Sequence, residues 1–246
     1  MKIGILATGI TPDELRGEFG SYADMFMRLF DAAGCAFQYQ TYDVRDNQFP
    51  ASLGDCDGWV ITGSKLNVYQ NLPWMVRLKQ LILDIHRTGR PLVGICFGHQ
   101  IVAEAFGGRV DKNPAGWGVG LHRYAMVDKQ SLMKADDFTI NAMHQDQVLD
   151  KPVNAKVVAS SEFCPYAALS YDEQILTLQA HPEFSVEFED VLVRSRKGSV
   201  IPDSSADAGL ETLKAPGVGT DSLDVARWMA AFLQQHALEN LTGRAS

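Results

Sequence analysis

The stretch RPLVGICFGHQIVAEAFGG, residues 90–108, constrains the fold of this chain more than any other. Its first half is a short apolar run of strand type. After Cys96 the apolar residues recur at helical spacing until Gly107 and Gly108 stop them. Cys96 stands at the change of period, flanked by Gly94 and Gly98. Glycine is costly inside regular structure, and a buried structural cysteine would need neither. A strand that bends sharply into a helix with a nucleophile at the bend needs both, because side chains at the flanking positions would clash. The bend would also put the sulfur at a helix N-terminus, where unpaired amides and the dipole favour a thiolate. The amide of Phe97 would then face the place where an oxyanion develops.

The rest of the chain supplies a sheet for this elbow. KIGILA, AFQYQTYDV and DGWVITGS read as strands. Between the first two lies SYADMFMRLFDAAG, with Ser21 and Asp24 as a capping box and Gly34 as a stop. Pro73 opens a further helix that Gly89 closes. Such alternation predicts right-handed βαβ units: an α/β fold with an open, mostly parallel, flavodoxin-like sheet covered by helices on both faces. The pattern then changes. VGLHRYAMV, FTINAMH, AKVVASS, CPYAALSY and QILTLQAH follow without a helix between them, so added antiparallel strands are expected to extend or flank the sheet. Residues 194–220, rich in Gly, Pro, Ser and Ala, are expected to form a long loop. Residues 221–240 read as a C-terminal helix capped by Asp221 or Ser222. A single domain over 1–246 accommodates all of this.

Composition narrows the function. Lys and Arg total 22 against 30 Asp and Glu, with no long basic run, which argues against nucleic acid as a partner. Cys35, Cys56, Cys96 and Cys164 lie far apart with no histidine at ligand spacing, so no disulfide framework, metal or cofactor is expected. No apolar stretch approaches membrane-spanning length, and MKIGILATG is too short for a signal peptide. The expectation is a cytoplasmic enzyme with a small-molecule substrate and no membrane partner.

A second motif complements the elbow. In LTLQAHPEF an apolar strand ends at His181, Pro182 and Glu183. Residues two apart in extended chain project to the same side, and Pro182 stiffens the link. The Glu183 carboxylate can therefore fix the tautomer of His181 and stabilise its cation, the orienting role in a catalytic triad.

With TGS after the third strand, GICFGHQ, HQDQV and HPE, the chain resembles the class I, triad-type glutamine amidotransferases over roughly residues 50–190, in the form of a GMP-synthase-like glutaminase domain. The resemblance implies that Cys96 is the nucleophile, His181 the general base and acid, and Glu183 its orienter. It assigns the oxyanion hole to amides of Gly63 and Phe97, and substrate contacts to Gln100, His144, Gln145 and Asp146. His99 is expected to pack at the elbow, and His86, His122 and His236 belong to no constellation. Glutamine would be split through a cysteinyl thioester into glutamate and ammonia, and an ammonia-accepting synthetase subunit is the implied partner. Two departures stand out. The family's oxyanion loop usually carries two glycines and a proline, where this chain reads TGSKLNVYQ, and no SGGxDS nucleotide signature occurs. Two alternatives stay open: a γ-glutamyl peptidase acting on γ-glutamyl peptides or conjugates, whose larger leaving group the altered loop would suit, and a non-catalytic binding or regulatory protein on the same fold.

Overall fold

The computed structural model describes residues 1–128, 132–214 and 219–243, with side chains through 238. Strand β1 (Lys2–Ala7) is followed by a short helix α1 (Asp13–Phe19), α2 (Tyr22–Ala32), β2 (Gln38–Asp43), β3 (Gly58–Ile61), α3 (Pro73–Arg87), β4 (Leu92–Ile95) and α4 (Phe97–Ala105). The expected local signals act where they stand: Ser21 accepts the amide of Asp24 and Asp24 reciprocates at the start of α2, and Pro73 is the first residue of α3. α1 was not read from the sequence. It holds one buried residue, Leu15, too few for an apolar period to show.

Beyond α4 come β5 (Arg109–Lys112), β6 (Gly118–Met126), β7 (Asp137–His144), β8 (Asp146–Asp150), β9 (Ala155–Ser160), β10 (Ala168–Tyr171) and β11 (Ile175–Leu178). Nine strands form one mixed sheet in the order β2-β1-β3-β4-β11-β10-β9-β6-β7, and β5 pairs with β8 as a separate ribbon. The segment from β2 to β11 is parallel, and β10, β9, β6 and β7 extend it with antiparallel pairs. This is the α/β architecture expected, with its antiparallel extension.

The inner parallel strands β1, β3, β4 and β11 are buried on both faces, while β2 is a partly exposed edge. Ile3, Ile5, Val60, Val93 and Ile95 point into one core with Phe26 and Phe30 of α2 and with Val225, Met229 and Leu233 of α7 (Ser222–Gly243). Leu6, Trp59, Ile61 and Leu92 point into the other, against Leu78 and Ile82 of α3 and Ile101 of α4. Each such side chain contributes roughly 1.5–3 kcal/mol by leaving water. No helix of the described residues is long and apolar enough to cross a membrane.

The loop expected over residues 194–220 is corrected. α5 (Val186–Arg196) enters it, and α6 (Asp203–Leu213) occupies its middle, while residues 215–218 lie outside the described residues. Composition misled because the buried face of α6 is made of small residues, Ala206 and Gly209 with Leu210. Gly209 lets the helix backbone approach β6 so closely that a Cβ there would stand 2.6 Å from Cγ1 of Val119. A glycine that signals a break in isolation serves here as a packing surface.

Candidate active site

Cys96 occupies the bend between β4 and α4 with φ 53° and ψ −103°, a conformation that costs a non-glycine residue about 1–3 kcal/mol. The neighbours explain the two glycines. A Cβ on Gly94 would lie 2.8 Å from the Gly98 carbonyl group, and one on Gly98 would lie 2.6 Å from the backbone oxygen of Ile61 in β3. The amide of Cys96 donates to Leu178 of β11 at 2.8 Å. The elbow is thus wedged between the two strands that flank β4.

Those flanking strands carry the other groups. Gly63 follows β3 and His181 follows β11, so three adjacent parallel strands present Gly63, Cys96 and His181 at their carboxyl ends. The contact is direct: a Cβ on Gly63 would stand 2.8 Å from Cε1 of His181 and 3.6 Å from Cβ of Cys96. His181 lies beside Cys96, which acts on its charge, and is hydrogen bonded through Nδ1 to Glu183 Oε1 at 2.7 Å. The ring is also stacked on Phe184, with centroids 4.0 Å apart and planes 5° from parallel. Burial pulls the His181 pKa down, but Glu183 and Cys96 beside it prevail and hold it well above the ordinary 6.5.

Asn141 of β7 completes this frame and was not singled out from the sequence. Its carbonyl accepts the His181 amide at 2.7 Å and its side-chain amide donates to the Phe184 carbonyl at 2.9 Å. The sequence offered only a lone amide inside the apolar run FTINAMH, and the structure buries it fully.

In front of Cys96 opens a cleft of about 810 Å³, lined also by Gln100, His144, Gln145 and Asp146. Gln100, one turn into α4, donates its side-chain amide to the Asp146 carbonyl at 2.9 Å and to Gln179 at 3.2 Å. His144 ends β7 and Asp146 begins β8. Burial, reinforced by His122, His181 and His99 nearby, holds His144 neutral with its pKa lowered to about 3. The Asp146 carboxylate is held by the Asn67 side-chain amide and by Tyr69, whose hydroxyl is pushed up to about 12 by burial and by that carboxylate. Both partners come from the KLNVYQ segment that departs from the resembled pattern. Phe97 is fully buried and stacks on Trp74 at 5.6 Å, so its side chain is committed to the core. As the first residue of α4 it has an amide with no intrahelical acceptor. His99 packs at the elbow, with Nδ1 2.8 Å from the Thr177 hydroxyl. Among the described residues no group of three His, Cys, Asp or Glu could hold a metal ion.

The model of the family described as glutamine amidotransferase class-I matches residues 18–195. The chain belongs to the class I glutamine amidotransferase family. A glutamine amidotransferase-like protein of Schizosaccharomyces pombe is 30% identical over 81% of this chain and 86% of its own. Gamma-glutamyl peptidase 4 of Arabidopsis thaliana is 30% identical over 83% and 85%. A solved glutamine amidotransferase of Thermotoga maritima superposes with a TM-score of 0.74 over 96% of this chain and 98% of that one. At 18% identity that last likeness speaks for the fold alone. Gly63, Cys96, His181 and Glu183 all fall within the matched residues, whereas α6 and α7 lie beyond them.

Proposed function

We propose that this amidotransferase-family chain hydrolyses the γ-carboxamide of glutamine through a thioester on Cys96. The observation that carries the reading is the chain of contacts from the Cys96 sulfur through the His181 ring to Glu183, in a buried setting and beside an open cleft. The Cys96 thiolate attacks the γ-carbon, and the resulting oxyanion accepts from the amides of Gly63 and Phe97. One such donor is worth ~2.7–4 kcal/mol of barrier. The His181 imidazolium, kept charged by Glu183, gives its proton to the departing nitrogen, which leaves poorly without one. The thioester then meets a water whose proton His181 takes. The C–S bond breaks, glutamate departs and the sulfur is regenerated. Gln100, His144, Gln145 and Asp146 form the substrate side of the site in this reading. Ammonia released there would serve an acceptor subunit, in a reducing, cytoplasmic compartment that suits four free cysteines.

The cleft volume favours a second reading. About 810 Å³ is more than one amino acid fills and lies in the range used for larger ligands, roughly 300–1,000 Å³. A γ-glutamyl peptide or conjugate, the kind of substrate named for the Arabidopsis relative, would use the same chemistry with a larger leaving amine. Glutamate release from glutamine and from γ-glutamyl peptides, with Cys96→Ala as control, tests both. Turnover of glutamine lost in Cys96→Ala is expected. Turnover of peptides alone transfers the proposal to the second reading. No release from either, with Cys96 inert to a glutamine-like diazo-ketone, leaves a non-catalytic protein.

A further inference from the structure

The cleft in front of Cys96 holds charges that the triad does not use. Lys65, Lys112 and Arg196 line it. Among the described residues none of the three is in ion-pair contact with a carboxylate, although acidic residues outnumber basic ones by 30 to 22. Elsewhere Arg45, Lys79, Arg109, Arg123, Arg194 and Arg227 each hold an aspartate or glutamate at 2.5–2.7 Å, and Arg28, Arg77 and Lys151 donate to amide oxygens instead.

Arg196 differs from the two lysines. They are exposed and it is half-buried. As the last residue of α5, its carbonyl accepts the amides of Ser199 at 3.2 Å and of Val200 and Ile201 at 3.0 Å, with the Ser199 hydroxyl also at 3.0 Å. The turn to α6 is wound on this carbonyl, so the side chain springs from a fixed point. Burial raises the nearby Tyr22 hydroxyl to about 12, and the Arg196 charge opposes that rise while Glu183 and Cys96 add to it. Asp13 and Glu14 line the same cleft without pairing to Arg196, so both signs of charge are presented, as a zwitterionic substrate requires. A half-buried guanidinium with no carboxylate at ion-pair distance, though it acts on the buried Glu189 from farther off, carries a desolvation cost, and a planar fork is best compensated by a bidentate carboxylate.

We propose that Arg196 is the carboxylate-recognising residue of the cleft and so sets which γ-glutamyl amides the chain accepts. This rests on the hydrolase reading above. The carboxylate has two sources, the α-carboxylate of the glutamyl half or one on the departing amine, and substrates can separate them. Glutamine offers only the first, and γ-glutamylglycine offers both.

The test compares the full chain with Arg196→Gln, with the charge-keeping Arg196→Lys, and with Arg194→Gln as a control on the same helix. For Arg196→Gln, kcat/KM is expected to fall roughly 10- to 100-fold, the worth of a charge-assisted hydrogen bond, chiefly through KM. Arg196→Lys should recover part of the loss and Arg194→Gln should show none. An equal fall on both substrates identifies the α-carboxylate, and a fall on γ-glutamylglycine alone identifies the leaving group. No fall on either, relative to Arg194→Gln, overturns the proposal. Should the unaltered chain hydrolyse neither, the function reading fails separately. Alkylation of Cys96 by iodoacetate against iodoacetamide, quantified on the Cys96 peptide, then decides: a roughly tenfold drop in the rate ratio in Arg196→Gln upholds the anion site, and an unchanged ratio overturns it.

Discussion

The two walls of the cleft obey different rules. One is the elbow wall, made by the ends of β3, β4 and β11 and the first turn of α4. There Cys96, Phe97, His99, Gln100 and His181 are all buried, and glycines abut backbone. The other wall is formed by α1, the Ser64–Asn67 segment and the turn between α5 and α6. It presents Asp13, Glu14, Lys65 and Arg196, exposed or half-buried, on short elements. The first wall cannot change without displacing backbone, and the second can exchange side chains at little cost to the fold. One reaction can therefore be kept while its substrate is altered.

The sharpest way to break this contrast is on the chemical side. Glu183→Gln keeps the shape of the His181 partner but not its charge, and kcat for glutamate release is expected to drop ~10³- to 10⁴-fold with KM little changed. Initial rates within tenfold of the parent would remove Glu183 from the mechanism.

Glycine replacements probe the walls by stability. Gly98→Ala places a methyl 2.6 Å from the Ile61 oxygen and should cost ~3 kcal/mol or more in urea unfolding. Gly17→Ala, in α1 with nothing within 4 Å of the added atom, should be neutral or gain about 0.5–1 kcal/mol. Similar losses at both sites would erase the distinction.

Glu189 of α5 is fully buried, its Oε1 accepting the Gly120 amide at 3.2 Å. Burial raises its pKa from 4.5 to about 7. The folded chain then keeps a proton that the unfolded chain has lost, so this group's contribution to stability falls as pH rises from about 4.5 to about 7. Glu189→Gln should match the parent near pH 4.5 and exceed it above pH 7 by about 2–3 kcal/mol. Urea titrations at several pH values check this, and a constant difference would refute it.

The smallest effect is expected on the recognition side. Asn67→Ala leaves the Asp146 carboxylate to Tyr69 alone, and the loss of about 1 kcal/mol should appear as a several-fold rise in KM with kcat preserved. A fall in kcat instead would tie the KLNVYQ segment to the chemistry.

Legibility follows the range of the interactions. The capping box at Ser21, the start at Pro73 and the bend at Cys96 all rest on contacts within a few residues, and all were readable. α6 was not, because the partner that makes Gly209 useful lies on β6, far away in the chain. Asn141 and Asn67 were not, because each acts on a segment that only folding brings near: Asn141 on the backbone of His181 and Phe184, Asn67 on Asp146. Arg196 was hidden inside the presumed loop.

By itself the amino-acid order determined the identity and local posture of the groups proposed to react: a cysteine that must bend between two glycines, and a histidine tied to a glutamate two residues on. Short-range sterics and the two-residue strand period suffice for that. Only the tertiary structure decided that β4 lies between β3 and β11, which brings Gly63 and His181 against Cys96, and that α1 and the α5–α6 turn close the cleft with charge. Strand order and helix docking are chosen by the summed burial of surfaces distant in the chain, and no local period records that sum.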